Sequence, residues 1–165
     1  MASAADFEQA RILAVRGSLE DALAAVDLVL AEDPGHVPAL LLKGGLLLGA
    51  RDAEAALTLY RRAAEAAPRD AEALNGLARC LHAQGRDREA LEAAEAARST
   101  LGEGENFRHA ASVYLTIVWC LREQRRFREA LAAADEGLAR CPDAILAQWA
   151  SLVEEELAEA EKEEC

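Results

Sequence analysis

Aromatic residues make up only 4% of this 165-residue chain, although 52% of it is hydrophobic. A β-sandwich or barrel draws on aromatic and β-branched strands, whereas closely packed helices can build a core from Ala and Leu. An all-helical fold is therefore expected. Positive charge is also in deficit: 18 Lys and Arg stand against 30 Asp and Glu, for a formal net charge of −12. General affinity for nucleic acid or an anionic membrane needs clustered cations that neutralise phosphates, so neither partner is expected. The last twelve residues, Glu154 to Cys165, hold seven Glu and one Lys and supply −6 of that charge. The body of the chain is much less acidic.

Long apolar runs are missing as well. The most apolar stretch, LLLKGGLLLG, is ten residues long and interrupted by Lys43, too short to cross a bilayer. The start of the chain, MASAADFEQA, has no basic region followed by an apolar stretch and a cleavage site, so a cytoplasmic location is expected. Catalytic and metal motifs are absent too. Cys80, Cys120, Cys141 and Cys165 show no C-x-x-C spacing, and Cys80 and Cys120 read as small buried packing residues. His36, His82 and His109 are dispersed, with no neighbouring ligand set that would build a zinc site. No Gly-rich phosphate loop, nucleophile elbow or H-E-x-x-H occurs. The expectation is a protein that is not an enzyme and has no cofactor or metal.

What the chain does have is a repeat. Ala22, Ala56, Ala90 and Ala130 recur at intervals of 34, 34 and 40. Pro34, Pro68 and Pro142 keep the same register, with Gly102 in the third place. A third column, Ala10, Gly44, Ala78 and Val118, is followed three residues later by Leu13, Leu47, Leu81 and Leu121. A period in this range marks a stacked array. Each unit reads as two helices and a stop. The alanines let the two helices approach closely, and the leucines are buried only when neighbouring units stack.

Unit boundaries fall at about 3–36, 37–70, 71–104 and 111–144 in a single domain spanning 1–165. Ser18, Asp52, Asp70 and Asp87 stand where N-caps belong, and Pro38 suits a first helical turn. Six extra residues around 105–110 interrupt the strict period, with Asn106 as the expected cap of the following helix. A last helix over about 144–164 carries Ile145, Leu146, Trp149, Leu152, Val153 and Leu157 at helical spacing. Its first half should cover the end of the stack and its glutamate-rich second half should project into water.

These columns resemble the tetratricopeptide repeat. In the second unit Leu40, Lys43, Gly44, Leu47, Ala56, Tyr60 and Pro68 follow the family pattern, with Lys43 as the departure. The third unit offers Leu74, Leu77, Ala78, Leu81, Ala90 and Ala94, and the fourth Tyr114, Ile117, Val118, Leu121, Ala130, Ala134 and Pro142; the first is more degenerate. The resemblance covers about residues 3–144 and implies an α-solenoid of four helix-turn-helix repeats plus a capping helix. It also implies that the first helices line a concave groove.

If they do, residues spaced three, four and three apart face inward together. The partner-binding candidates on those faces are Phe7 and Arg11; Leu41, Gly45 and Leu48; Asn75, Arg79 and His82; and Leu115, Trp119 and Arg122. Leu41 and Leu48 would form an apolar floor beside Gly45, and Trp119 an aromatic anchor. Arg11, Arg79 and Arg122 would meet acidic groups. Asn75 and Arg79 offer an amide and a guanidinium to a peptide backbone or carboxylate. Family members that grip chaperone C-termini use Lys and Asn in the first groove helices, where this chain has Phe7, Arg11, Leu41, Leu42 and Gly45, so that clamp is absent.

The expected function is a non-enzymatic adaptor for a peptide or helix of a partner protein, as a monomer or weak homo-oligomer. The alternatives are an assembly module that associates through an end or convex face, or a secretion-type chaperone, whose length is similar.

Overall fold

The computed structural model describes residues 4–102 and 107–163. Among them lie nine helices and no strand: α1 (Ala4–Val15), α2 (Leu19–Glu32), α3 (Val37–Gly49), α4 (Ala53–Ala66), α5 (Ala71–Ala83), α6 (Asp87–Thr100), α7 (Phe107–Glu123), α8 (Phe127–Arg140) and α9 (Ala144–Glu163). Each helix packs on the next. The first helices of successive pairs also pack closely, α1 on α3, α3 on α5, α5 on α7 and α7 on α9, whereas among the described residues the backbones of second helices stay apart and α6 reaches α8 through the side chains of Arg98 and Glu136, 2.9 Å apart. First helices therefore form the inner row of a curved stack, and second helices fan outward. This is an α-solenoid of four pairs with α9 closing one end.

The columns read from the sequence meet inside it. Ala22, Ala56, Ala90 and Ala130 are completely buried, as are Ala10, Ala78 and Val118. Between the helices of each pair stands one residue with left-handed backbone: Gly17 (φ 78°), Arg51 (φ 66°), Gly85 (φ 72°) and Arg125 (φ 57°). Only two of the four are glycine, the residue that adopts this conformation without steric cost. Caps then start several helices. Asp52 accepts from the Ala55 amide at 3.1 Å, Asp70 from Ala73 at 2.8 Å, and the His36 ring from Ala39 at 3.1 Å.

Two expected caps are absent. Ser18 precedes α2 without a side-chain cap bond. Asp87 lies inside the first turn of α6; Arg86 holds the N-cap position and spends its guanidinium on Glu89, at 2.8 Å from Nε. The expected cap Asn106 lies outside the described residues. The helix after it, α7, runs for 17 residues against 13 in α3 and α5, so it takes up part of the extra length.

The core is thickest around α7. Val113, Tyr114, Ile117, Val118 and Cys120 are buried at 1% exposure or less, enclosed by α5, α6, α8 and α9. The far end is thinner, with Val15 and Leu28 open to solvent. Leu146, Ala150 and Val153 seat α9 on the stack. The second half of α9 does not stand free as expected. Glu156 binds Arg122, Glu161 lies 2.8 Å from Arg128 and Glu163 lies 3.9 Å from Arg125, so the acidic turns fold back along the basic α7–α8 junction. No helix among the described residues is long and apolar enough to cross a membrane.

Candidate protein-binding face

The centre of the inner row is organised by a tyrosine from the outer row. Tyr60 reaches from α4 between α3 and α5, because both present glycine there. A Cβ on Gly44 would stand 2.9 Å from the Tyr60 ring, and one on Gly76 2.0 Å from it. Burial pushes the phenol up to about 12, so it stays protonated and can donate. Its hydroxyl has no partner among the described residues, and Tyr60 lines a pocket of about 150 Å³ between α5 and α7, with Glu72, Asn75, Gly76, Arg79, His109 and Ser112.

Asn75 is 6% exposed. Its Nδ2 donates to the Ser112 hydroxyl at 2.9 Å, and its Oδ1 is buried with no partner. The two ends of an amide are interchangeable in assignment, so one end is left unsatisfied either way. Such a group costs about 1–3 kcal/mol, which a peptide N–H or C=O can recover. Arg79, one turn on, is exposed and makes no ion pair or hydrogen bond among the described residues. Glu72, the acidic neighbour that could have paired with it, meets His109 Nε2 at 3.7 Å instead.

The other sequence-derived candidates are distributed unevenly. Phe7 leans on the His36 ring at 5.1 Å, and Arg11 pairs with Glu8 at 2.8 Å. Both border a shallow groove of about 450 Å³ with Pro38, Leu41 and Leu42. Leu48 is half-buried beneath the second repeat, while Gly45 is open and near the Tyr60 hydroxyl. Leu115 is almost fully buried. At 9% exposure it belongs to the core cluster around α7.

Trp119 is half-buried rather than a free anchor. Its ring stacks on His82 (centroids 6.0 Å apart, 20° between planes) and meets Trp149 edge-on at 5.9 Å. Arg122 is not a free charge either. It binds Glu156 through Nε at 2.8 Å and lies 5.6 Å over the Trp149 ring. A larger depression of about 530 Å³ between the start of α8 and the end of α9 is edged by paired charges, Arg126 with Glu129 along α8 and Arg128 with Glu161 across to α9.

Sequence spacing did not reveal one further cluster. His82 Nδ1 lies 2.6 Å from Asp87 Oδ1, and these atoms and Cys120 Sγ all lie within 4.8 Å of one another. Gly76 also escaped notice. The available signal was a glycine in a helix interior, which costs about 1 kcal/mol against alanine and so implies a packing reason.

A tetratricopeptide repeat model matches residues 1–37 and 41–106. The chain belongs to the tetratricopeptide repeat family. Its repeats are in general a protein-interaction fold without enzymatic activity. Among solved structures, the chain is similar to PilF of Pseudomonas aeruginosa, with a TM-score of 0.81 and 18% identity over 94% of this chain and 68% of that one. It is similar to MamA, with a TM-score of 0.74 and 19% identity over 90% and 84%. It is also similar to the type III secretion chaperone SycD of Yersinia enterocolitica, solved with a peptide of the translocator YopD, with a TM-score of 0.65 and 17% identity over 72% and 92%. At these identities the likeness concerns the fold. No curated protein sequence matches the chain significantly.

Proposed function

We propose that this tetratricopeptide repeat protein is a non-enzymatic adaptor that holds an extended segment of a partner protein across its inner face. The supporting observation is the pairing of a buried, half-satisfied amide with an unpaired guanidinium one turn away. Asn75 would take a backbone N–H or C=O, and Arg79 an acidic side chain or terminus. Tyr60 and Ser112 add hydroxyls to the same pocket, and the Phe7–Leu41 groove gives apolar contact further along. The likeness to SycD, seen with a peptide of its partner, supports a peptide as the ligand class. Three free buried thiols, Cys80, Cys120 and Cys141, fit a reducing cytoplasmic compartment.

Selection from a random peptide library tests this reading. Peptides enriched on the wild type should carry acidic residues and lose at least about tenfold in affinity on Arg79→Glu, the loss of a charge-assisted contact. Arg88→Glu, on the solvent side of α6, should retain them. Equal retention by Arg79→Glu would remove recognition from this pocket. Self-association through α1 and α2, where Val15 is 88% and Leu28 71% exposed, is the second reading. A mass that rises with concentration and falls on Leu28→Glu would favour it.

A further inference from the structure

We propose that His82, Asp87 and Cys120 form a metal site for Zn²⁺ or a similar transition-metal ion, tying the α5–α6 turn to α7. His82 lies in the last turn of α5, Asp87 opens α6, and Cys120 lies in the last turn of α7. Their ligand atoms come within 4.8 Å of one another. Bond lengths of 2.0–2.3 Å in a tetrahedral zinc site place ligand atoms about 3.3–3.8 Å apart. The His82–Asp87 contact at 2.6 Å therefore has to open by about 1 Å, and Cys120 Sγ has to close by about as much.

The repeat supplies an internal control. Cys80 occupies the position of Cys120 one unit earlier, equally buried, in one cluster with Leu47 and Leu48 next to the α3–α4 turn. In that turn Leu48 and Ala53 stand where His82 and Asp87 stand in the next one. The cysteine is thus part of the repeat packing, but the imidazole and carboxylate are specific to this junction. Asp87 is the first helical residue of α6, one past the Arg86 cap position, and from there it faces His82.

One nitrogen, one oxygen and one sulfur donor make a borderline set that suits zinc and cobalt, whereas magnesium and calcium prefer oxygen alone. Burial is the largest cause that pushes the Cys120 thiol up to about 12, with the charge of Asp87 adding to it, so the thiol carries its proton when no metal is bound. Metal binding displaces that thiol proton, forming the metal–sulfur bond and releasing the proton to solvent. The side chains of His82 and Asp87 are 27% and 23% exposed, which gives the ion an entry path. Three protein ligands leave a fourth position for water or a partner's donor atom.

The test uses the full chain, reduced and stripped with chelator, titrated with Co²⁺ and then with Zn²⁺. The expected result is one equivalent of Co²⁺ with thiolate-to-cobalt charge-transfer absorption, displaced by Zn²⁺. Affinity should fall at least tenfold in Cys120→Ser and in Asp87→Asn, and be unchanged in Cys80→Ser. Asp87→Asn keeps the test valid if the buried Cys120→Ser chain fails to fold. Equal binding by the wild type and Asp87→Asn, absence of the charge-transfer band, or its loss in Cys80→Ser alone would each overturn the proposal. The readout involves the metal alone, so its failure is separate from that of the peptide reading at Asn75 and Arg79.

Discussion

Replacing Gly76 by alanine sets two physical effects of opposite sign against each other. Helix propensity alone favours alanine by about 0.8–1.0 kcal/mol in a helix interior. The structure demands the reverse. The new methyl would stand 2.0 Å from Tyr60 Cε1, 2.3 Å from Cδ1 and 2.5 Å from Cζ, so the ring would have to retreat by well over an ångström. Retreat toward α3 is limited by the Gly44 backbone, which lies so close to the ring's other edge that a Cβ there would stand 2.9 Å from it. Overpacking of this kind costs about 1–3 kcal/mol or more. At so short a distance the upper end applies, which leaves a net loss of about 2 kcal/mol after the propensity gain. For a chain of this size that is a fall of about 4–8 °C in the thermal midpoint. Gly49→Ala is the matched control: it ends α3 with nothing within 4 Å of its Cβ position, so there the substitution should be neutral or stabilising. Thermal and urea unfolding followed by circular dichroism read both, and Tyr60→Leu in the Gly76→Ala background should recover part of the loss. A Gly76→Ala chain as stable as the wild type would refute the wedge between α3 and α5.

At the left-handed turns, Arg51→Gly should stabilise by about 0.5–1 kcal/mol, because a non-glycine residue there costs about 1–2 kcal/mol and glycine returns part of that as unfolded-state entropy; a rise of about 1–4 °C in the midpoint checks it. Alkali should destabilise the fold from about pH 9 upward. Burial, its largest cause, raises the Cys80 thiol from 9.0 to about 11 and the Tyr60 phenol from 10.0 to about 12. Between the unfolded and folded values the unfolded chain binds fewer protons, so stability falls as pH rises. Urea midpoints between pH 7 and 11 should show a flat region followed by a decline.

The repeat was legible because its signals are local and repeated. A column of alanines at the helix crossing, prolines after the second helix and leucines between units each depend on a few neighbouring residues, and four copies reinforce one another. The caps were legible in part. Asp52 and Asp70 obey local rules, whereas Asp87 stands one residue past the cap position, which Arg86 holds, and pairs with His82 on the preceding helix. The site was less legible because facing direction alone does not determine exposure. Leu115 and Arg122 share the inward register with Arg79, but the first is 9% exposed within the core around α7 and the second pairs with Glu156 of α9. Only a contact with a helix more than thirty residues away decides that, and no local spacing encodes it.

That contact also explains why the candidate site lies in the middle of the inner row. At the α9 end, the polar and aromatic groups are engaged with one another: His82 with Trp119, Trp119 with Trp149, Arg122 with Glu156, and the outer arginines with the acidic turns. The excess negative charge of the terminal segment is thereby spent in part on the basic α7–α8 junction. At the α1 end Arg11 is paired with Glu8. Arg79 is left as an unpaired cation on the inner faces of α5 and α7, beside an amide whose second end has no partner in the fold. Trp119 Nε1 is also buried without a partner among the described residues, but its ring is held between His82 and Trp149, so of these two unsatisfied groups the Asn75 amide is the one beside an exposed charge, as the proposed peptide reading requires.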